Sequence, residues 1–276
     1  MSDEPGDPAQ IFAAVDGSPF VAALIEYLDK VGRLPEMRRW HAMAIEMMAL
    51  HPGMRVLDAG CGVGGAAREL AASVRPNGTV TAVDVSVQMI ETARSRDDGS
   101  TGVEYEIADV TALPYAAGSF DRARCERVLQ HLPDPEVAVR ELTRVTAPGG
   151  LVCVLDGDWR SMVIDVGASA VTDEFMGYLC ASAPQPEVGR SLRRWFVHAG
   201  LVDVDVRVLP LTYTELADAA AIYPFFDEQV PAEADVVPAE LRDAWFAALR
   251  RADAEDTLWV SATGYVAVGT VPGAAA

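Results

Sequence analysis

Lysine is almost missing from this sequence: Lys30 stands alone among 22 basic residues, which face 41 acidic ones for a formal net charge of −19. That leaves little room for a catalytic lysine. The negative field also disfavours nucleic acid and anionic membrane surfaces as partners, and points instead to small molecules or proteins. Cysteine is sparse too. Cys61, Cys125, Cys153 and Cys180 are widely spaced, with no C-x-x-C pair and no histidines at ligand spacing, so neither a zinc site nor a disulfide framework is expected. No run approaches the roughly 18 apolar residues of a membrane span. The opening "MSDEPGDPAQ" lacks both the basic and the apolar segments of a secretory signal. These absences lead us to expect a cytoplasmic protein, monomeric or homodimeric, without metal.

What is present is enough for a large core, since half of the 276 residues are hydrophobic. "PFVAALIEYLDKVG" and "PEMRRWHAMAIEMMAL" space their apolar residues as helices do, and both precede the first strand. From Met54 onward, strands such as "RVLDAG", "TVTAVDV" and "LVCVLD" alternate with helical stretches, the pattern of a parallel sheet with helices on both faces. The second half breaks the rhythm. Strand "VDVDVRVLPLTY" and the long strand "TLWVSATGYVAVGTV" flank a Pro-, Ala- and acid-rich stretch, which predicts an antiparallel closing pair interrupted by a helical insertion.

The stretch "VLDAGCGVGG" (residues 56–65) ends a short apolar run in Asp58 and then supplies four glycines. Gly60, Gly62 and Gly65 fit the dinucleotide-type G-x-G-x-x-G, whereas Gly60, Gly62 and Gly64 fit G-x-G-x-G. Both readings put a ligand close to a glycine backbone. In an open α/β sheet that ligand lies beyond the carboxyl ends of the strands, and those ends are acidic here: Asp58, Asp84, Asp109, Glu126 and Asp156. A carboxylate at Asp84 suits the ribose hydroxyls of any adenosine ligand, while Asp58 would sit awkwardly beside a pyrophosphate. It suits a ligand with a cationic end.

The stretches "VLDAGCGVGG", "VDVSVQMI", "ADVTALPYAAGSFD", "ERVLQHLPDP" and "RVTAPGGLVCVLD", in that order, resemble the class I S-adenosylmethionine-dependent methyltransferases. The likeness is to the ubiquinone- and menaquinone-biosynthesis branch and to small-molecule methyltransferases of secondary metabolism. It implies a Rossmann-like, seven-stranded, mostly parallel α/β sheet with an antiparallel last strand. It divides the chain into an N-terminal helical lid (1–51), a cofactor-binding core (52–213), a helical insertion (214–256) and a closing strand with tail (257–276). The cofactor implied is S-adenosylmethionine. Gly60 and Gly62 would lie under it with Cys61 between them, Asp58 would orient its methionine end, and Asp84 would grip the ribose. Met89 would pack on the adenine near Val85, Asp109 would accept from the adenine amino group beside the Val110 amide, and the backbone around Cys125 and Glu126 would meet the ammonium. Arg122 and Arg124 depart from the expected pattern, because a central strand buried on both faces should read continuously apolar.

Methyl transfer needs a proton acceptor when the nucleophile is a hydroxyl or an acidic carbon. His131 has the right titration range, with Asp156 and Asp158 in reserve. The acceptor pocket is expected from aromatic and neighbouring residues that the core does not require: Tyr27, Trp40 and His41, then Trp159, Phe175 and Tyr178, and finally Tyr223 and Phe226 in the insertion. As a set they favour a mid-sized, largely apolar or aromatic metabolite. Two alternatives stand beside methyl transfer: a protein that binds S-adenosylmethionine without methylating, such as a cyclase, and a nicotinamide-dependent oxidoreductase.

Overall fold

The computed structural model describes residues 15–16, 21–228 and 237–273. Helices α1 (Val21–Arg33) and α2 (Pro35–Met48) come first. Then β1 (Arg55–Ala59), α3 (Gly65–Val74), β2 (Thr79–Asp84), α4 (Val87–Ser95) and β3 (Val103–Ile107) follow in strict alternation. Strand β4 (Phe120–Glu126), α5 (Pro135–Val145) and β5 (Thr146–Gly157) complete the parallel part. Helix α5 shows why such segments become helices: Pro135 is preset for the first turn, Asp134 accepts from the Glu136 N–H at 3.1 Å, and Ala138, Val139, Leu142 and Val145 bury one face.

A short strand β6 (Val163–Asp165), helices α6 (Ser169–Ser182) and α7 (Val188–His198), and strand β7 (Val202–Tyr213) lead to the insertion. It carries α8 (Leu216–Ile222) and α9 (Ala239–Ala254), after which β8 (Trp259–Thr270) returns to the sheet. Strands β3, β2, β1, β4 and β5 are parallel neighbours in that order, and β8 lies antiparallel between β5 on one edge and β7 on the other. The closing antiparallel pair expected from the sequence is therefore present. The sheet has eight described strands rather than seven: β6 pairs Val163–Asp165 with Trp259–Ser261 on the edge of β8 that β5 also uses. Three residues are too few to show a strand period in the sequence.

Side chains alternate across the sheet. Val56, Val80 and Leu155 face a core closed by Met48, Leu70 and Ile90, while Leu57, Val83 and Val154 face one closed by Leu129, Leu142 and Phe196. A third core lies under the insertion, and two expected pocket residues belong to it. Phe175 is fully buried and stacked on Trp245 with ring centroids 4.5 Å apart, and Phe226 is buried beside the same indole. Among the described residues, no helix is long and apolar enough to cross a membrane.

Because β1 continues to β2 on one side and borders β4 on the other, the chain reverses its winding between β1 and β4. The carboxyl ends of these two strands open the crevice in which α/β sheets bind ligands.

Candidate functional site

The glycine turn after β1 has one reading in the structure. Gly60, Gly62 and Gly64 have φ of +75°, +50° and +76°, whereas Gly65 is the first residue of α3 and has open space around it. The spacing in use is G-x-G-x-G. At Gly60 a Cβ would stand 2.1 Å from Val128 Cγ2, so a side chain of the protein itself already demands glycine there. The Gly60 and Cys61 amides both donate to the Val83 carbonyl, at 2.7 and 2.9 Å, and tie the turn to β2. Asp84, at the end of β2, accepts from Gly62 N at 2.9 Å through Oδ2 and from Ser86 N at 3.0 Å through Oδ1. Burial pushes its carboxyl upward against those two bonds. Each oxygen keeps a lone pair for a further donor.

The two arginines of β4 have separate explanations. Arg122 turns back to the end of α2, donating through Nε to the Met48 carbonyl at 2.7 Å, and so satisfies a helix terminus. Arg124 is buried on the crevice floor and donates through Nη1 to Asp58 Oδ1 at 2.8 Å and through Nη2 to Glu126 Oε2. Glu126 in turn meets His41 Nε2 at 2.8 Å through Oε1, with Arg127 Nε 3.4 Å from the same oxygen. Burial works to raise the Glu126 carboxyl, but the charges of Arg124, His41 and Arg127 prevail and hold it well below the usual carboxylate range. At Asp58 burial wins over Arg124 and the pKa is raised. Its Oδ2 is buried with no hydrogen-bond partner among the described residues.

A cavity of about 490 Å³ lies over this floor. Asp58, Gly60, Cys61 and Gly62 line one end together with Asp84, Val85 and Met89. Asp109, Val110 and Glu126 are on its wall as well, and His131 reaches it from a single helical turn at Leu129–His131. Tyr27, Trp40 and His41 line it from α1 and α2, and Trp159 and Tyr223 from the far side. Four expected residues are not brought to this wall. Cys125 is enclosed in the core behind β4, Phe175 and Phe226 pack in the third core, and Tyr178 is 40% exposed on the outer side of α6.

Of the two reserve bases Asp158 lines the cavity and Asp156 does not, and both carboxylates are held by other groups. Asp158 accepts both Nε and Nη2 of Arg190, at 2.6 and 2.9 Å. Asp156 lies off the wall, accepting from Gly157 N at 2.9 Å and Gln130 N at 3.3 Å, and burial pushes its carboxyl up to about 7. Sequence reasoning missed Val15, Leu28 and Arg127 on the wall, and Met162, Leu179 and Phe225 at its apolar end. Only Phe225, within "AIYPFFDEQV", carried a signal, through its aromatic neighbours.

This donor set suits S-adenosylmethionine. A buried carboxylate with an unpartnered oxygen complements a cationic methionine end, Asp84 retains lone pairs for ribose hydroxyls, and no phosphate has to be held beside Asp58. A family model described as a methyltransferase domain matches residues 57–154. An uncharacterised 37.1 kDa protein in transposon TN4556 of Streptomyces fradiae is 35% identical over 196 residues, which cover 70% of this chain and 57% of that protein. Methyltransferase GfsG of Streptomyces halstedii is 33% identical over 211 residues, covering 72% of this chain and 70% of that protein. Among solved structures, the phosphoethanolamine N-methyltransferase 2 of Haemonchus contortus in complex with S-adenosyl-L-methionine shares the fold at a TM-score of 0.60 and 17% identity, over 95% of this chain and 60% of that one. The [4+2]-cyclase SpnF shares it at 0.58 and 20% identity, over 97% and 98%. With the glycine turn, the strand-end carboxylates and these relatives in agreement, the chain belongs to the S-adenosylmethionine-dependent methyltransferases.

Proposed function

We propose that this chain methylates a small, largely apolar or aromatic metabolite of the natural-product kind. One observation carries the reading: a single cavity runs from the carboxylate-lined cofactor end to a far end walled by Trp159, Met162, Leu179, Tyr223 and Phe225, where the adjoining Asp158 has its charge paired with Arg190. A neutral, hydrophobic acceptor suits that end, and an amino acid or sugar phosphate would lose its hydration there without compensation. The bound cofactor supplies a methyl carbon made electrophilic by the sulfonium. The protein's part is alignment and dryness. Helices α1 and α2 serve as a lid, with Tyr27 donating to the Ile222 carbonyl at 2.7 Å and so joining α1 to the insertion across the cavity. His131 takes the proton when the acceptor is a hydroxyl. We place the protein in the cytoplasm as a monomer or homodimer, and the charge of −19 favours free small molecules over nucleic acid or membrane as its partners.

The test is incubation of the purified chain with S-adenosylmethionine and a panel of hydroxylated apolar compounds, phenols, amino acids and sugar phosphates, read by mass spectrometry. Gain of one methyl group confined to the apolar and phenolic members is the expected result. Methylation of the charged members alone overturns the acceptor class. An isomerised product of unchanged mass would favour a non-methylating role.

A further inference from the structure

The cofactor end of the cavity has a wall made by a part of the chain that carries none of the family's matching stretches. Val15 lines the cavity at 5% exposure and packs in a small apolar cluster with Leu24, Val63 and Met89. Its neighbour Asp16 reaches across to the start of α4. Its carboxylate accepts from Ser86 Oγ at 2.6 Å, from Val87 N at 2.8 Å and from Gln88 N at 3.2 Å.

The partners of Asp16 are themselves wired to the site. Ser86 Oγ accepts from Met89 N at 3.1 Å, and Ser86 N donates to Asp84 Oδ1 at 3.0 Å. One continuous set of hydrogen bonds thus links Asp16 to Asp84 and to Met89, both of which line the cavity. The first amides of a helix have no partner within it, and an acid is favoured there by the helix dipole. An exposed carboxylate is therefore held in one place, and the Ser86 hydroxyl keeps its pKa low. At the other end of α4, Asp29 of α1 grips Arg96 through two bonds of 2.6 and 2.7 Å.

We propose that Asp16 is a positioning residue for the cofactor: seated on the start of α4, it holds Val15 over the nucleoside end of the cavity and so sets how tightly the adenosine portion is retained. The clasp between Asp29 and Arg96 fastens α1 to the far end of α4 and has no part in that contact.

Calorimetry on the full chain with two ligands tests this: S-adenosylhomocysteine, and 5′-deoxy-5′-methylthioadenosine, which lacks the amino-acid tail. Asp16→Ala is expected to raise Kd for both by the same factor, about tenfold, the scale of one lost charge-assisted contact. Asp16→Asn, which keeps one accepting oxygen, recovers part of the loss. Val15→Ala leaves the hydrogen bonds in place and is expected to weaken both ligands in parallel. Asp29→Asn leaves both affinities unchanged. Unchanged binding in Asp16→Ala, a loss confined to S-adenosylhomocysteine, or an equal loss in Asp29→Asn overturns the proposal. None of these measurements involves the methyl acceptor, so the result is independent of the acceptor class.

Discussion

Asp58 and Arg124 are direct register partners on the adjacent parallel strands β1 and β4, and their side chains meet at 2.8 Å on the floor of the crevice. Because Arg124 also holds Glu126, one guanidinium compensates two buried carboxylates. Removing it leaves the fully buried Asp58 without a counter-ion, and Glu126 with His41 and Arg127 alone.

Arg124→Met is therefore expected to destabilise the fold by about 3–5 kcal/mol, the usual cost of breaking a buried ion pair from one side. Urea unfolding at neutral pH measures it. A loss below about 1 kcal/mol, typical of exposed pairs, would show that solvent reaches the cluster.

The contact between Gly60 and Val128 gives a second expectation. Gly60→Ala places a methyl 2.1 Å from Val128 Cγ2 at a φ of +75°. It should cost about 1–3 kcal/mol from overpacking together with about 1–2 kcal/mol from the left-handed backbone. Adding Val128→Ala should restore the packing part and leave the backbone part. Thermal unfolding of the single and double variants separates the two, and a double variant no better than Gly60→Ala would remove Val128 from the account.

Asp156 makes stability depend on pH in an unusual direction. Its folded pKa of about 7 lies above the ordinary 3.8, so between these values the folded chain keeps a proton that the unfolded chain has released. The contribution is full below the lower value, shrinks as pH rises through the window, and levels off above about 7. Asp156→Asn removes the dependence, so the difference between variant and parent should grow in the variant's favour from about pH 4 to pH 7 and then stay constant. Urea unfolding at a series of pH values reads it. A difference that grows toward low pH would contradict the burial of this carboxyl.

How much of this was legible in the sequence depends on distance along the chain. The βα rhythm, the glycine turn and the strand-end acids are local patterns, and the structure gathers most of those residues around one cavity. Of the partners of Arg124 only Glu126 is local, two residues along the same strand. Asp58 lies 66 residues away and His41 reaches Glu126 across 85, so the sequence showed charges in a central strand without their compensation. Aromatic residues were ambiguous for another reason. Phe175 and Trp159 have similar composition around them, and only packing against Trp245 sends the first to a core while the second faces the cavity. Asp16 was invisible because its cap serves a helix that begins 71 residues later.

His131 separates mechanisms. If the acceptor reacts through a hydroxyl, His131→Gln should lower kcat by about 10² to 10⁴ while leaving the affinity for S-adenosylhomocysteine unchanged. The parent rate should rise with pH as the imidazole loses its proton, because only the neutral ring accepts one, and the variant should lose that inflection. Steady-state rates across pH on an acceptor found by the panel provide the measurement. A variant with near-parental kcat would make alignment alone sufficient.

Strand β8 supplies the antiparallel partner of β5, β6 and β7 alike, and its Gly264 also lies against the Trp40 ring of α2. On the ribosome it is made after all of them. Until β8 emerges, β5 offers an open edge to any other strand in its surroundings, and β7 has no strand to pair with among the described residues. Trp40 would meanwhile lack the backbone it rests on. The order of translation thus supplies every strand that borders the cofactor crevice before the strand that closes the rest of the cavity wall.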